Sequence, residues 1–491
     1  MPETHHREFS ELPITVDREL DAPLPAQIAA ALREAIDQHT LRPGEAVPAS
    51  RELARRLGVA RGVVVSAYEQ LIAEGYLSAS HGRGTRVHPE LEGLEHSTHP
   101  QLTEQKPLSK TTVIAAHTPA GTRPLSPGLP DTSAVETQAW RQAWRSAASH
   151  AHLEAPELGD PLLRSEIAEH LRRMRGTTRP AEDVIVTAGA REGLSLLLSA
   201  LGTTRGRALT VGVEDPGYPS LRKVAARHGA HIVALPVDAE GLVTEQLPSG
   251  LLDVVLVTPS HQYPLGGSLP LARRRELLDW ARRTGAVIVE DDYDSELRHS
   301  GSPLPTLAAL DDRASGSVAL LGTFSKTVSQ ALSAGFLLVP ENLRRIVEPA
   351  RRDLGGPVSA VVQAALAEYL ASGELRRHTA RMRRRYADRR ELVVERLFGT
   401  PGIRVRPMSG GLHAVIELLQ GSAALESLVV TRSDHLGPIP LSAYWHGQGT
   451  GTGAETSRYG LVIGTGGSLD ESQFDAALRE LREILTRTAG F

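Results

Sequence analysis

The sequence predicts an α/β protein in two parts: a small N-terminal unit of three helices and a hairpin, and a large C-terminal unit built on a mainly parallel sheet. Short apolar, β-rich runs alternate with amphipathic stretches between Asp183 and Leu321, the pattern left by parallel strands joined through crossover helices. Helical patterns before Gly75 give way to a Gly-rich turn between two short extended runs. The length of 491 residues exceeds one ordinary domain, so more than one unit is expected.

Composition narrows the class. An apolar fraction of 41% with 45 Gly and 32 Pro fits a soluble protein with many turns. No run of about 18 apolar residues occurs, and the N-terminus, with Glu3, His5, His6, Arg7 and Glu8, lacks the apolar region of a signal peptide, so a cytoplasmic protein without membrane contact is expected. The absence of Cys excludes disulfides, zinc ribbons and thiol nucleophiles, and no metal site is expected. A net charge of -4 argues against a chain-wide polyanion-binding surface but leaves room for a small basic module.

That module is sought in residues 22–88. Ile28, Leu32 and Ile36 give Pro23 to His39 helical spacing, and Leu41-Arg-Pro-Gly44 breaks it. Ser50 stands as an N-cap for Arg51 to Leu57, and Gly58 ends that helix. A third helix is expected from Arg61 to Glu74, turning Val64, Tyr68, Leu71 and Ile72 inward and Arg61, Gly62, Val65, Ser66 and Glu69 outward. Two helices joined by a tight turn form a helix-turn-helix, and a small polar outer face can enter a major groove. Gly75-Tyr76-Leu77 then opens a hairpin with the tip His81-Gly-Arg-Gly-Thr85. It has the make-up of a wing, from which Arg83 and Arg86 reach phosphates or a minor groove. The plainer alternative is a helical protein-interaction module. Residues 89–122, polar and without period, read as a linker spanning on the order of 30 Å as a flexible coil.

In residues 123–491 the apolar runs end in Thr187-Ala-Gly, Glu214-Asp-Pro-Gly-Tyr218, Thr258-Pro, Glu290-Asp291-Asp-Tyr293 and Gly322-Thr-Phe-Ser-Lys326. Polar chemistry therefore collects on one sheet edge, where open α/β sheets bind ligands. A desolvated Lys326 would be nucleophilic enough to form a Schiff base with an aldehyde. Thr323 and Ser325 offer hydroxyls to a phosphate, and Thr187-Ala-Gly-Ala190-Arg191 opens a helix whose N–H groups bind the same anion. Asp291 could keep a pyridine nitrogen protonated, Tyr293 could bond a ring phenolate, and Tyr218 could stack on the ring. Together these parts suggest pyridoxal phosphate. Taken singly, each residue has a plainer reading: a surface lysine, a loop acid, a core-edge aromatic. The Arg-dense stretch Arg376 to Arg390 has helical spacing that favours a solvated face or a subunit contact.

Two resemblances follow from these motifs. Pro48-Ala-Ser-Arg51-Glu-Leu-Ala, Leu57-Gly-Val, Tyr68-Glu-Gln-Leu-Ile-Ala-Glu-Gly-Tyr76 and Gly82-Arg-Gly-Thr-Arg-Val87 resemble the winged helix-turn-helix of GntR-type regulators. This implies contact with a double-stranded DNA operator from Ser50, Arg51, Arg61, Arg83 and Gly84, to which the outward Ser66 is added. Ser126-Pro-Gly-Leu-Pro-Asp131, Glu214-Asp-Pro-Gly-Tyr218, Thr258-Pro-Ser-His-Gln-Tyr-Pro-Leu-Gly266, Glu290-Asp-Asp-Tyr-Asp-Ser-Glu296 and Gly322-Thr-Phe-Ser-Lys-Thr327 are similar to the motifs of the MocR subgroup, whose large domain is a fold-type-I aminotransferase-like unit. The implied cofactor is pyridoxal phosphate linked to Lys326. Its expected contacts are Asp291, Tyr293, Tyr218, Ala190, Arg191, Tyr263, Thr323, Ser325 and Ser333, in a head-to-tail homodimer.

The chain departs from the family pattern in three places. Ala60-Arg61-Gly62-Val63 opens the recognition helix without a capping hydroxyl, at a cost of about 1 kcal/mol. Leu265 stands where Thr is common. Ser333 stands where the family places a phosphate-anchoring arginine, which would weaken cofactor binding by roughly 1 to 3 kcal/mol. Arg458, before Tyr459-Gly-Leu-Val-Ile-Gly464, is the candidate for an effector carboxylate. The function expected is a transcription regulator that senses pyridoxal phosphate, an amine or an amino acid, with any transamination residual. The alternatives are a working aminotransferase with an appended DNA module and a regulator that never binds the cofactor.

Overall fold

The computed structural model describes residues 14–17, 23–37, 40–73, 76–80, 84–87, 89, 123–151, 154–298, 305–408, 410–446 and 458–488. The chain divides into two compact units, Met1–Ile114 and Ala115–Phe491.

The first unit holds α1 (Leu24–Asp37), α2 (Ser50–Leu57), α3 (Arg61–Ala73) and a hairpin of β1 (Leu77–Ser80) and β2 (Gly84–Val87). Ile28, Leu32, Leu53, Val64, Leu71, Leu77 and Val87 close into one core. Gly58, at φ 62, ends α2 in the left-handed region that glycine adopts without strain. The Tyr68 hydroxyl donates to the Pro48 carbonyl at 2.7 Å, tying α3 to the turn before α2. The hairpin is held from the other side, because Val47 N–H bonds Thr85 O at 3.0 Å and Val87 N–H bonds Glu45 O at 2.8 Å.

Two local expectations change. Ala49 is the N-cap of α2, and Ser50 is its first residue, with no side-chain cap bond. Ile72 is 37% exposed rather than inward, because Val64, Ala67, Tyr68 and Leu71 already fill the buried stripe of a 3.6-residue helix and the next position turns off its edge.

The second unit begins with α4 (Gln138–Ala148) and α5 (Pro161–Arg175) and continues through β3 (Val184–Thr187), α6 (Ala190–Arg205), β4 (Thr210–Asp215), α7 (Pro219–Arg227), β5 (His231–Asp238), β6 (Gly241–Leu242), β7 (Val254–Val257), α8 (Leu271–Thr284) and β8 (Val287–Asp291). There follow α9 (Leu307–Leu310), β9 (Val318–Thr323), β10 (Gly335–Leu338), α10 (Glu341–Leu354), α11 (Ala360–Ala371) and α12 (Glu374–Leu397). The sheet runs in the order β3-β10-β9-β8-β7-β4-β5-β6. β5, β4, β7, β8 and β9 are mutually parallel, and β10 is antiparallel to both its neighbours. Successive strand residues face opposite layers: Val186, Val255, Ile288 and Leu320 pack on one side, Ile185, Val254, Val289 and Leu321 on the other.

A smaller antiparallel sheet, β11 (Ile403–Val405), β12 (His413–Leu418), β14 (Gly460–Gly464) and β13 (Ile439–Pro440) in that spatial order, packs on α12, α13 (Ala423–Arg432) and α14 (Glu471–Thr488). The arginine stretch on α12 is only partly the solvated face expected. Arg389 is fully buried, donating to the carbonyls of Thr465 and Gly466 at 3.2 and 2.8 Å and pairing with Glu471. Its neighbours Arg383 and Arg384 are exposed. No helix among the described residues is long and apolar enough to cross a membrane.

Candidate functional site

β8 and β9 are parallel neighbours in register, Asp291 opposite Leu321, so their carboxyl ends deliver Asp291 and the Thr323-to-Lys326 segment to the same edge. Lys326 Nζ donates to Gly128 O at 2.8 Å, and Gln330 Nε2 donates to the same carbonyl at 2.9 Å. Gly128 sits at φ 80, and a Cβ there would lie 2.7 Å from the lysine nitrogen. Glycine is thus required both by the backbone conformation and by the approach of the amine. Beside them lies a hollow lined by Gly128, Tyr218, Tyr263, Asp291, Tyr293, Lys326, Leu412 and His413.

The electrostatics follow from burial. Asp291 is 4% exposed, and its Oδ1 has no hydrogen-bond partner among the described residues. Burial first, then the neighbouring carboxylates Asp292 and Asp294, push its carboxyl up to about 8, against the pull of Lys326. Burial also lowers the Lys326 ammonium below the ordinary lysine range, with Asp294 and Asp291 opposing and Arg191 adding to the shift. The aromatic wall is continuous: Tyr263 meets Tyr218 and Tyr293 edge-on, with centroids 5.4 and 5.3 Å apart. The Tyr293 hydroxyl lies 3.1 Å from His261 O and 3.0 Å from His261 Nδ1, which also faces the Asp294 carboxylate.

The opening of α6 forms a corner of this edge. Gly189, at φ 89, is its N-cap, followed by Ala190 and Arg191. A Cβ on Gly189 would stand 3.8 Å from Thr323 Oγ1. Ser325 N–H bonds that same oxygen at 3.1 Å. Ser333 is exposed and takes φ 44 at the end of the loop leading to β10.

Not every expected residue joins the hollow. The Arg458 guanidinium lies over the Trp445 ring, 5.5 Å from its centroid, and does not line it. Leu412 and His413, which do, were not singled out in the sequence. They enter the wall from the start of the small sheet, far along the chain, and only the Gly410-Gly411 pair before them marks the turn that delivers them. His413 is pushed down to about 3 by burial and then by His261, with Nε2 set 3.0 Å from Pro264 O.

In the N-terminal unit Arg51, Arg61, Ser66 and Gly84 are exposed, and Ser50 is half-buried. Arg61 Nε donates to Ser50 Oγ at 3.4 Å, joining the starts of α3 and α2. Arg86 Nη1 donates to Gly44 O at 3.0 Å. The wing tip with Arg83 lies outside the described residues.

Comparison with known proteins divides the chain in the same way. Residues 24–87 match the gntR family of bacterial regulatory proteins, and residues 125–427 match the aminotransferases of class I and II. The pyridoxine biosynthesis transcriptional regulator PdxR of Corynebacterium glutamicum is 43% identical over 478 residues, 97% of this chain and 99% of that protein. The probable rhizopine catabolism regulatory protein MocR of Rhizobium meliloti is 35% identical over 398 residues, 78% of each. Among solved structures, an archaeal alanine:glyoxylate aminotransferase shares the fold at a TM-score of 0.65 and 19% identity, over 74% of this chain and 90% of that one. The Thermus thermophilus α-aminoadipate aminotransferase LysN does so at 0.62 and 24%, over 74% and 92%. The chain belongs to the MocR-like, GntR-type helix-turn-helix transcription regulators that carry an aminotransferase class I and II domain.

Proposed function

We propose that this regulator binds pyridoxal phosphate through Lys326, that the cofactor itself is the signal, and that its uptake changes the affinity of residues 22–88 for an operator. The observation that carries this reading is the pairing of a desolvated amine with a buried carboxylate oxygen, Asp291 Oδ1, that has no protein partner and faces the same hollow. A buried acceptor left alone is costly unless a ligand completes it.

When bound, the cofactor supplies an aldehyde carbon for the lysine amine. Burial keeps Lys326 closer to its neutral, nucleophilic form than a surface lysine. Asp291 would hold a proton on the ring nitrogen, because a cation beside it would restore the carboxylate that burial disfavours. Tyr218 would pack on the ring, and Tyr293 and Tyr263 would exclude water from it. The α6 N-terminus and the Thr323 and Ser325 hydroxyls take the phosphate. The relative named as a regulator of pyridoxine biosynthesis supports the cofactor as signal. On the DNA side, Ser50, Arg51, Arg61, Ser66, Arg83 and Gly84 form the reading face of a chain that acts in the cytoplasm. Residues 89–122 link it to residues 123–491, in a head-to-tail homodimer that presents two such faces to two half-sites.

The test combines a spectrum with a gel shift. Purified protein is titrated with pyridoxal phosphate while the visible absorption of the lysine-linked cofactor and the affinity for DNA upstream of its own gene are measured together. Lys326→Ala should abolish the absorption change and the cofactor dependence of DNA affinity while leaving the fold intact. An unchanged spectrum in that variant would refute the lysine assignment, and multiple turnover on amino-acid and keto-acid pairs would make the protein an enzyme.

A further inference from the structure

We propose that His261, held by Asp294, is a positioning residue that keeps the Tyr293 hydroxyl a donor toward the hollow, where it would meet the phenolate oxygen of the cofactor. This inference rests on the reading of the hollow as a pyridoxal phosphate site, but it concerns two side chains behind the wall. His261 and Asp294 are both buried, and neither lines the hollow. His261 Nδ1 stands 3.1 and 3.2 Å from the two Asp294 oxygens and 3.0 Å from the Tyr293 hydroxyl, whose oxygen is also 3.1 Å from the His261 carbonyl. The His261 and Tyr293 rings stack, 22° from parallel with centroids 6.0 Å apart. Gly411, at φ 85, closes over the pair: a Cβ there would fall 2.6 Å from Asp294 Oδ2 and 2.7 Å from His261 Cε1.

These contacts fix which imidazole nitrogen carries the hydrogen. A carboxylate only accepts, so the Nδ1 that faces Asp294 donates to it. Nε2 is buried and has no partner among the described residues, and a hydrogen there would be a buried donor left unmade, the costlier arrangement. With Nδ1 donating, it cannot accept the Tyr293 proton. That proton goes to the His261 carbonyl or, once a ligand is seated, to an anionic oxygen in the hollow, the stronger acceptor of the two. Burial and then Asp294 hold the Tyr293 phenol well above its ordinary range, so the proton stays on it. An imidazole in the other tautomer would turn its Nδ1 lone pair to Tyr293 and draw that proton out of the hollow; an orienting carboxylate fixes the tautomer of the histidine in hydrolytic triads in the same way. The other titratable groups facing this set are Asp291 and Tyr263, beside Tyr293, and His413, whose ring is 5.5 Å from that of His261.

The test is the pH dependence of the visible absorption of the lysine-linked cofactor in the parent, His261→Gln, His261→Asn, Tyr293→Phe and the double variant His261→Gln with Tyr293→Phe. Thermal unfolding verifies each fold. A donor on the phenolate oxygen drains the charge that holds a proton on the neighbouring lysine nitrogen, so its loss moves the spectral change to higher pH. Tyr293→Phe and His261→Gln should each move it up by about half a unit or more, and the double variant should move no further than Tyr293→Phe alone. His261→Asn, whose amide nitrogen takes the place of Nδ1, should stay near the parent. In the cofactor-free protein, nitrogen NMR of labelled histidines should place the hydrogen on Nδ1 of the residue whose signal His261→Asn removes. An equal shift by His261→Gln with and without the Tyr293 hydroxyl, no shift in either case, or a hydrogen on Nε2 alone overturns the proposal and leaves the cofactor reading standing. A parent that takes up no pyridoxal phosphate overturns both.

Discussion

Replacing Asp291 by Asn separates what this buried acid costs the protein from what it does for the cofactor. Its carboxyl is raised from 3.8 to about 8, chiefly by burial. A carboxyl whose pKa rises on folding binds its proton more tightly in the native state, so stability is greatest below the unfolded value and is lost as pH rises toward the folded one. At 1.36 kcal/mol per unit, the cost is about 1.5 kcal/mol at pH 5 and on the order of 5 kcal/mol at pH 8. Asn has nearly the same shape, no proton to lose, and no existing hydrogen bond at Oδ1 to break. In the cofactor-free protein, Asp291→Asn should therefore be more stable than the parent, by a margin that widens by about 3 to 4 kcal/mol between pH 5 and pH 8. Glu290, raised to about 7, tilts both curves equally and cancels in the difference, whereas Glu214, also raised to about 7, is coupled by charge to Asp291 and forms part of the margin. With saturating pyridoxal phosphate the order should reverse, because only the carboxylate holds the ring nitrogen's proton. Urea unfolding at a series of pH values, with and without cofactor, measures all of this. A difference between variant and parent that stays flat from pH 5 to 8 would mean that Asp291 carries no buried proton, and the account of the hollow would have lost its anchor.

Gly128→Ala should lower cofactor uptake at least tenfold, read from visible absorption, because its Cβ would stand 2.7 Å from Lys326 Nζ at a backbone angle of φ 80; parental affinity would show that the lysine does not need this approach. Arg61→Ala and Arg83→Ala should each weaken DNA binding and reduce the slope of log affinity against log salt by about one; parental binding at several salt concentrations would mean that the reading face lies elsewhere. Gly62→Ala should stabilise the N-terminal unit by about 0.5 to 1 kcal/mol, since nothing lies within 4 Å of the added Cβ; thermal unfolding that shows a loss would mean that the start of α3 is not the open helix described.

The parts of this protein legible in its sequence are those written in local runs. Parallel strands such as Val254–Val257 and Val318–Thr323 are buried on both faces and announce themselves as largely apolar stretches. β10 was missed because Gly335-Phe-Leu-Leu338 is only four residues long and opens with glycine, so its pairing with β3 and β9 is fixed by tertiary contacts rather than by propensity. The same distinction runs through the site. Asp291 and Thr323 end strands, Lys326 follows three residues after one, and all three could be located from the alternation alone. Leu412 and His413 reach the hollow from the small sheet, and Gly128 from a loop 198 positions before the lysine it contacts. Arg389 looked like a surface charge because burial of a guanidinium depends on carbonyls at Thr465 and Gly466 that no helical period reveals.

A sensor and a transaminase can share one lysine, so fold alone does not separate them; what the walls offer to a second ligand does. A transaminase must hold an amino acid's α-carboxylate beside the lysine. Here the wall facing Lys326 is made of tyrosine rings, Leu412 and a histidine, and that imidazole, pushed down to about 3, is neutral at any physiological pH. A neutral ring buried against Pro264 cannot attract a carboxylate by charge, and Arg458 is engaged over Trp445 instead. Among the described residues, Arg191 at the start of α6 acts by charge on Lys326 and Tyr218, and Arg390 acts on His413. On the proposed reading, a ligand that brings its own phosphate and aldehyde suits these walls better than a free amino acid. Reversible uptake of such a ligand can act as a signal only if two arrangements of the protein differ in affinity for it, and the pocket wall drawn partly from the small sheet gives that difference a physical source, since any shift of that sheet against β8 and β9 moves Leu412 and His413 relative to Asp291 and Lys326.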